Sequence, residues 1–157
     1  VTALDPLTQN TPLAALGFAL QACERALVVP VARTSVFVGN PAWDDCCAGQ
    51  LYGRVPLIAS GELFPAPGLT APECYKTRTV SLVIGLVRCT PGPTPEGAPP
   101  DAAAEAQASI GLYQEAEVIN DTLNGEWWLW AHEVVQQVFS TQGGCIAVET
   151  TLAVQIL

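Results

Sequence analysis

"TRTVSLVIGLVR", residues 77 to 88, carries the strongest strand pattern in the chain. Val80, Leu82, Ile84 and Leu86 fall on one face and Val83 and Val87 on the other. Apolar residues on both faces predict a strand covered on both sides, hence a central one. From Gln50 to Ile58, Leu51, Val55 and Leu57 alternate with Gln50, Tyr52 and Arg54, the pattern of a half-buried strand. The two runs are joined by a Pro- and Gly-rich stretch with an irregular loop at 64–76, so they are expected to pair antiparallel. At the C-terminal end Ile146, Val148, Thr150, Leu152, Val154 and Ile156 alternate with Cys145, Ala147, Glu149, Thr151, Ala153 and Gln155. This reads as a further strand with one core face and one wetter face.

Two helices complete the outline. Thr11 is placed as an N-cap with Pro12 at the first helical position, and Leu13, Leu16, Leu20, Cys23 and Leu27 form a stripe that Pro30 ends. Asp101 caps a second helix with its stripe at Ala108, Leu112, Ala116, Ile119 and Leu123, closed by Asn124-Gly125 through a left-handed residue. "RTSVFVG", residues 33 to 39, is a short strand closed by Gly39-Asn40. Residues 126–140, "EWWLWAHEVVQQVFS", admit a helix or an edge strand and are read as a strand. "TPGPTPEGAPP", residues 90–100, has neither period and is a loop. The order lacks regular βαβ alternation. It predicts one α+β domain over residues 1–157, with a single mixed, mainly antiparallel sheet flanked by the N-terminal and second helices.

Fifteen acidic residues against six basic give a net charge of −9. That balance argues against nucleic-acid binding, which needs clustered Lys and Arg, but suits a surface that DNA slides past. The N-terminus has no basic residue followed by an apolar run, so no secretory signal is expected there. Apolar runs such as Val80–Val87 fall far short of the roughly 20 residues of a membrane span.

"AWDDCCAGQLYGRV", residues 42–55, raises the question of chemistry. With the strands antiparallel, Cys46 and Cys47 approach Cys89, and Cys145 arrives at the same end of the sheet. Cys23, on the apolar stripe of the first helix, and Cys74 lie elsewhere. Four converging thiols admit a zinc site, although adjacent cysteines lack the usual knuckle spacing. They also admit a disulfide, for instance from Cys47 to Cys89 or Cys145, or plain packing of reduced thiols, which is the default for a core this large. Catalysis has little to work with. His132 is the sole histidine, and Asp44 and Asp45 before a strand read as turn formers or caps. No phosphate-binding glycine pattern is present, and no cofactor or metal is expected. Trp127, Trp128 and Trp130 serve either as core anchors or as a subunit interface.

"WDDCCAGQLYGRV", "LVIGLVRCTPGPTPEGAPPDAAAEAQA" and "QGGCIAVETTLAVQI" together resemble a family of small neck proteins of long-tailed phages of actinobacteria, over roughly residues 35–157. The resemblance implies a non-enzymatic virion protein of the tail-terminator type, made in the host cytoplasm. Such a protein forms a ring, typically a hexamer, that caps the tail tube, with the major tail protein on one side and the head connector or stopper on the other. A stopper or other connector component is the alternative within the neck, and a small Cys-dependent enzyme or zinc module the alternative outside it. In this reading the cysteines are a structural corner. Contacts fall to Pro93, Pro95 and Glu96 of the Pro-rich loop, to the 64–76 loop and to the tryptophans, while Glu149, Asp44 and Asp45 are candidates to line the lumen.

Overall fold

The computed structural model describes residues 11–60, 78–125 and 131–156. Helix α1 spans Pro12–Ala26, with Thr11 Oγ1 accepting the Ala14 amide at 3.1 Å. Leu16, Leu20 and Cys23 are buried as expected, but Leu13 is half exposed. The buried face is centred on Ala15 and Ala19, whose small side chains let the helix approach its neighbours closely. The helix also stops four residues before Pro30. Leu27 is extended (φ −63°, ψ 127°), and the residue before a proline is itself biased away from helical geometry, so the chain unwinds a turn early.

Strand β1 is Arg33–Val36, β2 Gln50–Ser60 and β3 Arg78–Cys89. Helix α2 covers Ala102–Asn124, capped by Asp101, which accepts the Ala104 amide at 3.1 Å. Its end departs from expectation: Gly125 is extended, with φ −62°, because its amide turns back to the Thr122 carbonyl in a tightened last turn. Strand β4 is His132–Gln142, in keeping with the strand reading of that segment, and β5 is Cys145–Ile156. The tryptophans 127, 128 and 130, Cys74 and the 64–76 loop lie outside the described residues.

The five strands form one sheet in the order β1-β2-β3-β5-β4, antiparallel except for the β1·β2 pair. This is the expected α+β architecture with β3 central. A bulge between Arg54 and Leu57 surrounds Pro56, which has no amide to give to the ladder. It turns Leu57 outward, so that residue is half exposed rather than in the core. Both helices pack on one face. Leu16, Leu20, Ile119 and Leu123 meet Leu51, Ile84, Leu86, Val148 and Leu152 in the main core. Helix α1 seats against β2 at Gly53, where an added Cβ would lie 2.7 Å from a Leu16 methyl and 2.8 Å from one of Leu20. No described helix is long and apolar enough to cross a membrane.

Candidate functional site

The register of the central strands brings the cysteines together. Cys89, the last residue of β3, stands opposite Cys145, the first of β5. Between Trp43 and β2 the chain makes a 3₁₀ turn, Cys46–Ala48, beside the same end of the sheet. The turn directs Cys46 inward and leaves Cys47 exposed. Cys46 is bonded to Cys145, with Cα atoms 5.7 Å apart and a sequence separation of 99. The default expectation of reduced, merely packed thiols therefore fails for this pair. The suggested partner Cys47 also gives way to its neighbour, because one step around the turn decides which sulfur faces β5. Cys47 and Cys89 remain thiols and are hydrogen-bonded to each other. Cys23 is apart, buried in α1, and burial pushes its pKa up to about 12.

A small second core surrounds the bridge on the face opposite the helices. Cys46, Tyr52, Val87, Cys145 and Ala147 are buried there, with Phe37, Trp43 and Cys89 packed around them. Tyr52, Gly85 and Glu149 lie in one row across β2, β3 and β5. The Tyr52 ring occupies the space a Cβ on Gly85 would fill. Its hydroxyl donates to Glu149 Oε1 at 2.6 Å, and Arg54 Nη2 donates to the same carboxylate at 3.2 and 3.3 Å. Burial, and then the bond to Glu149, raise the Tyr52 pKa above the ordinary tyrosine range. Glu149, on the expected wetter face and a candidate to line the lumen, is thus tied up in an ion pair. Trp43, Tyr52 and Glu149 border a depression of about 220 Å3 with Asn40, Pro41, Ser140 and Gln142.

On the helix face of the same corner Arg88 joins three segments. Its Nε and Nη2 donate to the Glu115 carboxylate of α2, the first at 3.0 Å, while Nη2 and Nη1 reach the Val29 and Pro30 carbonyls at 2.6 and 3.1 Å. Gly49 stands against this guanidinium at φ +82°, a conformation open to glycine, and a side chain there would collide with Nη1. The glycine of "CCAGQL", the arginine of "VRC" and the final cysteine of "QGGC" therefore meet at one place. Sequence reading grouped the cysteines but missed Arg88, Tyr52 and Arg54. An arginine inside an otherwise apolar strand was the available signal for the first. The row of Tyr52, Gly85 and Glu149 could be drawn only once the register was known.

The corner offers little for catalysis. The bond to Cys89, with lesser effects of burial and of charge at Cys89 and Asp45, raises the pKa of Cys47, so the exposed thiol is held protonated rather than activated. His132 pairs with Val154, nine residues along β5 from Cys145, or about 30 Å at strand spacing. Among the described residues no group of three or more His, Cys, Asp or Glu is placed to hold a metal ion.

The other candidates are on the surface. Pro93, Pro95 and Glu96 are exposed. Their loop is held by a turn in which the Gly97 amide donates to the Thr94 carbonyl at 2.8 Å and the Thr94 amide to the Ala98 carbonyl at 3.0 Å. Asp44 and Asp45 are exposed beside the 3₁₀ turn, and Asp45, at its N-cap, makes no side-chain capping bond. No protein-family model matches the chain, and no curated protein matches it.

Proposed function

We propose that the chain is a structural component of a phage neck, a tail terminator that assembles as a ring between the tail tube and the head connector. The observation that carries this is the distribution of exposed apolar side chains. The β4 edge of the sheet exposes Val135, Val138 and Phe139, while the opposite edge exposes Val36 on β1 and Val38 just beyond it. Two unlike sticky edges on opposite sides of one unit are what a head-to-tail ring requires. A hexamer of this kind leaves the Pro93–Glu96 turn free for an axial partner. Its acidic charge suits a lumen through which DNA passes without adhering, and Asp44 and Asp45 are the unpaired candidates for that lining.

Native mass measurement and electron microscopy of the full chain, alone and with tail tubes, test the reading. A ring-sized species, free or capping tubes, is expected. Val138→Asp on one edge and Val38→Asp on the other should each abolish it while leaving circular dichroism unchanged, because Val38 is fully exposed and Val138 half exposed, outside both cores. A chain that stays monomeric and leaves tube ends bare overturns the proposal.

A further inference from the structure

The corner holds two cysteine pairs of different status. Cys46 and Cys47 are adjacent on the 3₁₀ turn, and Cys145 and Cys89 are the facing residues of β5 and β3. One member from each side is already joined as Cys46–Cys145. The remaining members, Cys47 and Cys89, are thiols in hydrogen-bond contact. The closed bridge fixes the turn against the strand ends, so the second pair is held together by a covalent tether rather than by chance proximity. It is also reachable, because Cys47 is exposed while Cys89 is half-buried behind it.

We propose that Cys47–Cys89 is an oxidation site, at which a small-molecule disulfide such as oxidised glutathione installs a second bridge parallel to Cys46–Cys145. At mildly alkaline pH the fraction of Cys47 that has lost its proton to solvent attacks one sulfur of the glutathione disulfide, releasing one glutathione thiolate and leaving a mixed disulfide on Cys47. The Cys89 thiolate then attacks Cys47 Sγ, forming the Cys47–Cys89 bond and expelling the second glutathione thiolate. Two protein thiols are oxidised and one glutathione disulfide is reduced to two glutathione thiolates, which take up the two protons given up by Cys47 and Cys89 and leave as thiols. Order of attack follows exposure, since the outer thiol meets the oxidant and the inner one resolves it. Because the inner thiol is already in contact, resolution is intramolecular and outruns attack by free glutathione. Cys23, buried in the main core, takes no part. The chemistry does not depend on ring assembly and can be tested on isolated protein.

The test is to equilibrate the folded full-length chain with glutathione buffers of increasing oxidised fraction at mildly alkaline pH. Free thiols are then blocked with an alkylating agent and non-reduced peptides mapped by mass spectrometry. A peptide pair linked through Cys47 and Cys89, appearing beside an unchanged Cys46–Cys145 pair, is the expected result. Cys89→Ser should accumulate the glutathione adduct on Cys47 to roughly ten times the wild-type level, as the resolving thiol is gone. A wild-type protein that keeps a stable glutathione adduct on Cys47 with Cys89 still alkylatable overturns the proposal. So does a link from Cys89 to Cys145, or from Cys47 to Cys74. The wild-type map decides the matter even if the variant folds poorly.

Discussion

The face of the sheet under the helices and the corner on the opposite face solve the same problem with different materials. Under α1 and α2, Leu16, Leu20, Ile84, Leu86, Ile119 and Leu152 are fully buried and owe their stability to area removed from water. At the corner, burial is shared among an aromatic ring, two joined cysteines, an amide and a carboxylate held by Arg54. The first arrangement tolerates exchange among apolar residues of similar size. The second depends on particular atoms, so a conservative change there should be felt in a way it would not be under the helices.

The largest effects should lie under the helices. Leu86→Ala opens a cavity between β3 and the helix layer and is expected to cost about 2–5 kcal/mol of unfolding free energy, since the side chain is fully buried in the main core. Opening the long covalent loop with Cys46→Ala and Cys145→Ala together should cost about 2–4 kcal/mol. Urea unfolding of the three proteins ranks them. If the double variant is the less stable, the corner is a principal support of the fold and not a local fastening.

The same contrast explains what could be read in advance. Alternation located β2, β3 and β5 and the 3.6-residue spacing located both helices, because apolar burial writes itself as a period. Leu13 and Leu57 escaped that logic: the first was displaced by the closer packing of Ala15 and Ala19, the second by the bulge at Pro56. The four cysteines could be sent to one end of the sheet by strand direction alone. Which two would bond depended on one residue of rotation in a 3₁₀ turn, and no periodicity reports that. Arg88 was hidden for a similar reason, since its partners are the Glu115 carboxylate, 27 residues away, and carbonyls of a segment 58 and 59 residues away.

Alkaline pH should separate the two regions by onset. Cys23 is raised from 9.0 to about 12 by burial under the helices, and Tyr52 is raised above its ordinary value of 10 at the corner. Each folded-state group holds its proton where the unfolded chain releases it. Stability is therefore fully present below the unfolded pKa and falls as pH rises past it. For Cys23 the loss begins near pH 9, with a slope limited to about 1.4 kcal/mol per pH unit for one group. For Tyr52 it begins near pH 10. Exposed Cys47 shifts in the same direction, and Cys47→Ser serves as its control. Denaturation midpoints from pH 8 to 11 should flatten between 9 and 10 in Cys23→Ala, and only above 10 in Tyr52→Phe. A Cys23→Ala profile parallel to wild type would mean that the thiol is not desolvated in the folded chain.

The smallest effects concern one buried polar side chain on each face, and they should differ in sign. Under the helices, Thr150 is fully buried and its Oγ1 accepts from Gln137 Nε2 at 2.9 Å; that nitrogen also donates to the Ala116 carbonyl at 2.9 Å. At the corner, Gln50 is equally buried beside Val87, and neither its amide nitrogen nor its amide oxygen has a hydrogen-bond partner in the protein. Removing a satisfied group costs its bond, whereas removing an unsatisfied one relieves a desolvation penalty. Thr150→Val, which keeps the shape and deletes the acceptor, should lower stability by about 1 kcal/mol. Gln50→Met, which keeps the volume and deletes both polar atoms, should raise it by about 1 kcal/mol. The two changes can be measured in one denaturant series. Loss of stability in Gln50→Met would show that the amide is engaged at the corner, placing Gln50 with Arg88 and Tyr52 among the polar groups that hold this end of the sheet together.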